Sequence, residues 1–301
     1  MSGRCCGKYS TVSKIFELLK ANKLAPLKSL SQNFLIDNNI LDKIISSADI
    51  SKSDLVIEIG PGLGALTERL AAKAGKVVAI EIDNKLAALL SAQYPDPGKV
   101  EILHADVLKT DFEKIIRSNA KKSVTKIKIA ANLPYSLTTP ILVKILALRG
   151  SLDSAVIMVQ REFAKRMTAA PGSRDCSSLS VLVQFSAKAE ITAVVSENSF
   201  YPKPNVKSAL VRLAMLTTPP VNVFDENLFF AVVRAAFNQR RKMVKNTLVH
   251  GLEMEKTAVD SALLKAGVSG TRRGETLSMP EFALLSNAFF NVREVEKITQ
   301  K

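Results

Sequence analysis

The chain has 301 residues, 47% of them hydrophobic, and its 42 Lys and Arg against 28 Asp and Glu give a formal net charge of +14. At about 150 residues per domain we expect two domains, and no apolar run approaches the roughly 18 residues that span a bilayer. The two histidines and three cysteines show no zinc-ligand spacing, so we expect no metal site. The N-terminus lacks a secretion signal, so we expect a cytoplasmic protein without a membrane partner.

Apolar, β-rich runs alternate with helical patterns through most of the chain. Strands are predicted at residues 55–60, 76–83, 100–106, 127–133, 154–160, 189–195 and 208–216. Helices are predicted at residues 11–20, 39–47, 64–73, 84–92, 111–119, 138–148, 161–169 and 178–187. This alternation is typical of a parallel sheet with helices on both faces, which binds ligands beyond the carboxyl ends of its strands.

The strand pattern stops after Leu216, where TTPPVNVF resembles a linker. Three helical patterns follow, one around Phe229, one around Val259 and one opened by Pro280. We therefore predict an α/β domain over residues 1–217 and a small all-helical domain over residues 218–301.

A glycine turn, VIEIGPGLGALT, follows the first predicted strand of the sheet. Gly60, Gly62 and Gly64 allow the backbone to turn tightly and to approach a ligand closely. The spacing differs from the G-x-G-x-x-G of dinucleotide-binding turns, and the carboxylate of Glu58 would repel a pyrophosphate. These features favour a ligand with a cationic group and no phosphates, such as S-adenosylmethionine.

Acidic residues follow the next two predicted strands. Glu81 lies where a carboxylate can accept hydrogen bonds from both ribose hydroxyls, and Asp106 could accept one from an adenine amino group. Alone, Glu81 fits NAD and S-adenosylmethionine equally well, and Asp106 could equally be a helix N-cap. Their combination with the glycine turn is far more specific than either acid.

The fourth predicted strand ends in the segment AANLPYSLTTP. The exocyclic amine of a base is a poor nucleophile, because its lone pair is delocalised into the ring. The side-chain oxygen of Asn132 and the backbone carbonyl of Leu133 are acceptors suited to such an amine. Pro134 stiffens the turn, and Tyr135 offers a ring on which an extruded base can stack. We predict a base-methylation site here, and the alternative is an Asn–Pro turn packed by a tyrosine.

Nine segments, in this order, resemble the small-subunit ribosomal RNA adenine dimethyltransferase family. They span roughly residues 28 to 280: KSLSQNFLID, VIEIGPGLGALT, AIEID, HADVL, NLPY, MVQREFAKRM, SFYPKPNVKSALVRL, FNQRRKMVKNTL and RRGETLS. The resemblance implies a Rossmann-like seven-stranded S-adenosylmethionine-dependent methyltransferase domain with a small C-terminal all-α domain. It also implies dimethylation of two adjacent adenosines near the 3′ end of small-subunit rRNA, in a late assembly intermediate of the subunit.

The resemblance also implies roles for residues of the cofactor site. Asn33 and Leu35 would close over the cofactor from the N-terminal segment, and Gly60 would line its methionine portion. Glu81 would hold the ribose, and Asp106 would hold the adenine.

On the acceptor side, the resemblance implies that Asn132 borders both the cofactor and the target amine. Tyr135 and Phe200 would sandwich the flipped adenine. Two departures from the family pattern stand out. Ser31 replaces the usual glycine of the N-terminal segment, and Cys176 stands in a loop that usually reads Asp-Tyr-Gly.

A basic cluster includes Arg240, Arg241 and Lys242, with no acid nearby in the sequence. By resemblance these side chains contact RNA phosphates, which position RNA without reading its sequence. The alternative is an ordinary solvated surface. We expect the partners to be small-subunit rRNA and the immature small ribosomal subunit, and we expect the protein to act as a monomer.

Three other functions remain open on the sequence. One is a large-subunit rRNA adenine methylase of the macrolide-resistance type, although that group more often has isoleucine where Leu133 stands. Another is a non-catalytic ribosome-assembly or nucleic-acid-binding factor. The third is an NAD-dependent oxidoreductase.

Overall fold

The computed structural model of the chain describes residues 12–22, 25–27, 32–119 and 124–299. The described residues divide into two compact units. One lies within Met1–Ala164 and Ala187–Thr217, and the other lies within Lys165–Ser186 and Thr218–Lys301. The boundary expected after residue 217 is one point where the chain passes between units, and the chain also passes between them after Ala164 and after Ser186.

The secondary structure follows the alternation of the sequence closely. The strands are β1 (Phe34–Leu35), β2 (Asp54–Ile59), β3 (Lys76–Glu81), β4 (Val100–His104), β5 (Lys126–Asn132), β6 (Ser154–Gln160), β7 (Ala187–Val195), β8 (Phe200–Tyr201) and β9 (Ser208–Met215). The helices are α1 (Val12–Ala21), α2 (Asn38–Ala48), α3 (Ala65–Lys73), α4 (Asn84–Gln93), α5 (Phe112–Asn119), α6 (Thr138–Leu146), α7 (Arg161–Met167), α8 (Ser178–Ser186), α9 (Glu226–Phe237), α10 (Val244–Leu252), α11 (Lys256–Lys265) and α12 (Met279–Thr299).

The first unit is built on a seven-stranded sheet with the strand order β4-β3-β2-β5-β6-β9-β7. These are the seven strands expected from the sequence. The neighbours from β4 to β6 pair in parallel, whereas β9 runs antiparallel to both β6 and β7. The expected parallel arrangement therefore holds from β4 to β6 and does not extend to β9.

The antiparallel edge has a physical reason in the connection between β7 and β9. Parallel neighbours are usually joined through an α-helix, whereas antiparallel neighbours need no helix between them. Only a 3-10 turn and the two-residue β8 lie between β7 and β9. The chain therefore returns antiparallel, and β9 inserts between β6 and β7.

The centre of the sheet is buried on both faces. All six residues of β2 are buried, as expected for a strand covered by helices on both sides. β2 pairs with β5 in a register that sets Ile59 opposite Ala131. The glycine turn that follows β2 and the Asn132 that ends β5 are therefore neighbours at the carboxyl edge of the sheet.

The segment before α2 packs onto the same unit. The Asp37 carboxylate caps α2 by accepting a hydrogen bond from the backbone N–H of Asn39. Leu41, Ile44 and Ala48 then form the buried face of the helix. Just before it, β1 and β8 form a two-residue antiparallel ladder, with Phe34 opposite Tyr201 and Leu35 opposite Phe200.

The second unit is helical and has its own hydrophobic core. Phe185 of α8 is fully buried and stacks on Phe229 of α9 with 4.9 Å between ring centroids. This contact explains why residues 165–186 group with the C-terminal helices. The sequence patterns did not single out α10, which buries Val244, Thr247 and Leu248. None of the described helices combines the length and apolar character needed to cross a membrane.

Candidate functional site

The glycine turn follows β2 in a conformation that only glycine adopts readily. Gly60 has a φ of +68° and Gly62 a φ of +58°. A Cβ atom added to Gly62 would lie 3.1 Å from the Phe34 ring, closer than ordinary van der Waals contact. Gly64 then provides the N-cap of α3. The turn is thus tightly packed between α3 and the strand β1.

The carboxylate of Glu81 organises this turn. Its Oε2 accepts a hydrogen bond of 3.0 Å from the backbone N–H of Gly62, and its Oε1 accepts one of 2.9 Å from Asp83. Glu81 is 4% exposed, and burial raises its pKa while these backbone donors oppose the rise. Each carboxylate oxygen can accept more than one hydrogen bond, so the group retains capacity for a ligand hydroxyl.

Glu58 is the second buried acid of the site. It is 1% exposed, and burial raises its pKa to about 8 although the nearby Thr67 hydroxyl opposes the rise. Among the described residues, no partner meets the distance and angle of a hydrogen bond to Oε2 of Glu58. The same is true of Oγ1 of Thr67. A buried carboxyl without partners avoids the cost of ionisation by keeping its proton, so a cationic ligand group nearby would favour its ionised form.

The segment from Asn132 to Tyr135 forms the opposite wall. The side-chain amide of Asn132 donates a hydrogen bond of 3.0 Å to the backbone carbonyl of Asn33. The backbone N–H of Leu133 donates to the carbonyl of Met158, which extends the contact with β6. Pro134 has a φ of −63° and leads into a short 3-10 turn that begins at Tyr135.

These elements enclose one cavity. It holds about 960 Å³ of space, part of it open to solvent. Eight of the predicted site residues line it together: Asn33, Leu35, Gly60, Glu81, Asn132, Leu133, Pro134 and Tyr135. Glu58 also lines it, as do Gln32 and Phe34, which the sequence patterns did not indicate.

A second, more open depression adjoins the cavity and holds about 1220 Å³ of space. Gln32, Asn33 and Tyr135 line both depressions. The wall of the open groove continues through Gln160 of β6 and through residues 201–206. Tyr135 therefore lies between the cavity and a groove that is more open to solvent.

Asp106 does not line the cavity. Its Oδ1 accepts a hydrogen bond of 2.8 Å from the backbone N–H of Leu108, within a turn that precedes α5. Asp106 therefore closes a local turn and is not the N-cap of a helix. Its contact with an adenine amino group stays a prediction.

Phe200 lines neither the cavity nor the open groove. It is 3% exposed and packs in the hydrophobic core of the first unit, with its backbone opposite Leu35. The residue of β8 that lines the groove is Tyr201. Stacking of a base on Phe200 stays a prediction and requires its ring to become accessible.

The basic cluster lies between α9 and α10 in the second unit. Arg241 and Lys242 are exposed. Arg240 is exposed as well, but its guanidinium donates hydrogen bonds to the backbone carbonyls of Arg174 and Cys176. Arg240 therefore ties down the loop that departs from the family pattern, and its contact with RNA stays a prediction.

Other sequence features add little to the site. The Cys176 thiol is buried, and burial raises its pKa. Ser31, Cys5 and Cys6 lie outside the described residues. Within the described ranges, no group of three or more His, Cys, Asp or Glu side chains could hold a metal ion.

The strand order and the cavity at the carboxyl edge of the sheet define a Rossmann-like methyltransferase domain. Residues 26–287 match the family of ribosomal RNA adenine dimethylases. The chain belongs to this family.

Relatives similar to the chain over nearly its whole length support this membership. The chain is 46% identical over 286 residues to a ribosomal RNA small subunit methyltransferase A of Geobacillus sp. (strain WCH70), covering 94% of this chain and 98% of the relative. It is 45% identical over 274 residues to the protein of the same name from Bacillus pumilus (strain SAFR-032), covering 90% of this chain and 94% of the relative.

Solved structures agree with the fold. A dimethyladenosine transferase from Plasmodium falciparum is similar with a TM-score of 0.72 and 27% identity, over 86% of this chain and 98% of that chain. The 23S rRNA methyltransferase ErmE is similar with a TM-score of 0.64 and 25% identity, over 86% of this chain and 100% of that chain.

Proposed function

We propose that the protein dimethylates the N6 amines of two adjacent adenosines near the 3′ end of small-subunit rRNA, with S-adenosylmethionine as methyl donor. The observation that carries the proposal is the placement of Asn132. Its Nδ2 is engaged by the Asn33 carbonyl, and the residue lines the cavity beside the Gly60 turn. Its Oδ1 is then the atom that accepts a hydrogen bond from a target amine.

The residues of the cavity fit S-adenosylmethionine. The buried Glu58 carboxyl, unpartnered at Oε2, matches a ligand with a cationic amino group. The turn at Gly60 and Gly62 admits a close approach of the ligand to the backbone, and Glu81 can accept hydrogen bonds from ribose hydroxyls. When bound, the cofactor supplies an electrophilic methyl group on sulfur.

The protein's own part in the reaction is positioning and electrostatics. Before the first transfer the adenine amine donates its two hydrogens to Oδ1 of Asn132 and to the backbone carbonyl of Leu133, which fixes the direction of its lone pair. The monomethylated amine, having lost one proton, donates its remaining hydrogen to one of these two oxygens. These two oxygens also stabilise the positive charge that develops on the nitrogen. The Tyr135 ring, between the cavity and the open groove, stacks on the base that enters from the groove.

The partner proposed is the immature small ribosomal subunit. A net charge of +14 attracts RNA, and the exposed Arg241 and Lys242 are suited to phosphate contacts. We assign the helical domain over residues 218–301 to RNA and ribosome binding. We further propose that the protein acts as a monomer, late in subunit assembly, in the cytoplasm where subunits assemble.

The test uses immature small subunits from cells that lack the protein. Incubation with labelled S-adenosylmethionine should place two methyl groups on each of two adjacent adenosines, located by mass spectrometry of the rRNA. Large-subunit rRNA is the control and should remain unlabelled. Label on large-subunit rRNA alone, or binding without methyl transfer, would overturn the proposal.

A further inference from the structure

The phenol of Tyr135 is held by a buried serine. The hydroxyls of Tyr135 and Ser208 lie 2.6 Å apart and share a hydrogen bond. Ser208 is the first residue of β9 and has no solvent exposure. Both residues belong to the first unit. This contact joins the turn after β5 to a strand that is not its neighbour in the sheet.

Ser208 is a rigid anchor for this contact. It pairs with Gln160 at the end of β6 on one side and with Val195 at the end of β7 on the other. A residue whose strand is paired with a neighbouring strand on each side has little backbone freedom. The Tyr135 side chain therefore reaches past the end of β6 to a hydroxyl whose position the sheet determines.

The backbone of Tyr135 is held separately. The hydroxyl of Thr138, the first residue of α6, donates to the carbonyls of Pro134 and Tyr135 at 3.1 and 3.2 Å. Thr138 is 4% exposed, so water competes little for these bonds. The ring is thus held at its backbone by Thr138 and at its hydroxyl by Ser208.

We propose that Ser208 is a positioning residue, and that the Tyr135 hydroxyl acts as a tether that sets the ring plane rather than as a substrate contact or a proton carrier. The inference rests on the proposed function, in which the ring receives the target adenine. Methyl transfer depends on the angle at which the amine meets the methyl group. A tilted ring would present the amine away from that line.

The surroundings of the phenol agree with a tether. Burial raises the pKa of Tyr135, and the hydrogen bond with Ser208 opposes the rise only in part. The phenol therefore stays protonated near neutral pH and can donate to the serine oxygen. A group that keeps its proton in this way is suited to a structural hydrogen bond.

Nuclear magnetic resonance tests the contact directly. The chain contains four tyrosines, so labelling with ¹³Cζ-tyrosine gives a simple spectrum. Tyr135→Phe identifies the Tyr135 resonance by its loss, and Ser208→Ala should shift that same resonance. Ser154→Ala is the control, because Ser154 is also buried but lies at the opposite end of the neighbouring β6. An unchanged Tyr135 resonance in Ser208→Ala would overturn the inference.

A double-mutant cycle tests the function of the contact. Tyr135→Phe and Ser208→Ala should each lower kcat on immature small subunits by about three- to tenfold, as expected for one hydrogen bond. The double variant should be no slower than either single variant. Affinity for S-adenosylmethionine, measured by calorimetry, should stay unchanged, as should kcat in Ser154→Ala.

The outcomes separate this inference from the proposed function. If the losses in kcat of the two single variants multiplied in the double variant, the two hydroxyls would act independently and the tether would be overturned. Full activity in Tyr135→Phe would also overturn it, and this result does not depend on whether Ser208→Ala folds. Tyr135→Ala tests the ring itself. Full activity in Tyr135→Ala would overturn the stacking role of the ring. An inactive Tyr135→Ala, together with kcat losses that multiply in the double variant, would reject the tether and leave the proposed function standing.

Discussion

The side-chain amide of Asn132 and the backbone carbonyl of Asn33 form a hydrogen bond of 3.0 Å across 99 positions of sequence. The bond joins the end of β5 to the segment that precedes β1. The bond engages the donor nitrogen of the amide, so the acceptor oxygen Oδ1 is the atom left for the proposed contact with a target amine. Two segments that border the cavity are thereby held together by the residue proposed to receive the target amine.

Removal of this side chain should separate transfer from binding. We expect Asn132→Ala to lower methyl transfer by about 10²- to 10³-fold, the loss typical of one positioned electrostatic group. Binding to immature subunits should persist, because the proposed phosphate contacts of Arg241 and Lys242 do not involve Asn132. Filter binding and labelled transfer measure the two quantities. Asn119→Ala is the control, since the Asn119 amide also donates to a backbone carbonyl but lies outside the cavity. Equal loss of binding and transfer in Asn132→Ala would contradict the separation.

Cofactor affinity should depend on pH through Glu58. Burial raises its pKa to about 8, so the free protein carries this carboxyl protonated below that pH. A cationic ligand group favours the ionised form, and binding then releases a proton. Affinity for S-adenosylmethionine should therefore rise between about pH 6 and 8, by at most about tenfold per pH unit. Calorimetry in buffers of different ionisation enthalpy measures both affinity and proton release.

The same carboxyl should affect the stability of the ligand-free protein. Because its pKa is raised on folding, the unfolded chain loses this proton first as pH rises from about 4.5. The Glu58 contribution to stability is present at low pH and is lost as pH rises toward 8. Glu58→Gln should remove both pH dependences. Glu68→Gln on α3 is the control, because Glu68 has a similarly unpartnered buried oxygen but does not line the cavity. An unaltered slope in Glu58→Gln would assign the titration to another group.

The glycine turn should not tolerate a side chain. Gly62→Ala would place a Cβ 3.1 Å from the Phe34 ring at a φ of +58°. The backbone strain should cost about 1–2 kcal/mol, and displacement of β1 should further weaken cofactor binding. Gly150→Ala is the matched control, because its φ is also positive but the added Cβ meets nothing within 4 Å. Thermal unfolding should shift in both variants, whereas cofactor affinity should fall only in Gly62→Ala.

RNA binding should depend steeply on salt through the basic cluster. Replacing both Arg241 and Lys242 with alanine should reduce the slope of log affinity against log salt by about 1.5, if each contacts one phosphate. The paired change of Lys256 and Lys265 on α11 is the control, since both are exposed and basic. A salt slope that is unchanged in the Arg241 and Lys242 variant would remove these residues from the interface.

Truncation of a buried aromatic side chain should destabilise the helical unit. Phe185→Ala removes a fully buried ring that stacks on Phe229, and should cost about 3–5 kcal/mol. Leu264→Ala, at a side chain that is 84% exposed, should change stability little. Denaturant unfolding compares the two. A small effect of Phe185→Ala would mean that residues 165–186 are not part of this core.

Much of the architecture was predictable because the seven strands are apolar runs separated by helical patterns. The antiparallel edge at β9 was not, since the position of a strand in a sheet depends on long-range pairing. The cavity was predictable where residues follow strand ends, as Gly60, Glu81 and Asn132 do. Gln32 reaches the cavity only through tertiary packing, and no local pattern marks it.

Two site residues show the limit of motif-based reasoning. Phe200 occupies a motif position, yet its side chain packs in the core. Asp106 follows a strand, yet its carboxylate closes a turn. In both cases the motif gives the location along the chain, whereas the direction of the side chain depends on neighbours distant in sequence.

The ladder between β1 and β8 links the wall of the cofactor cavity to the wall of the open groove. Phe34 and Leu35 border the cofactor cavity, and Tyr201, the ladder partner of Phe34, borders the groove through which the base would enter. Neither strand can withdraw without breaking the ladder or moving the other. Any displacement of β1 at the cofactor cavity would therefore be transmitted to the groove wall at Tyr201.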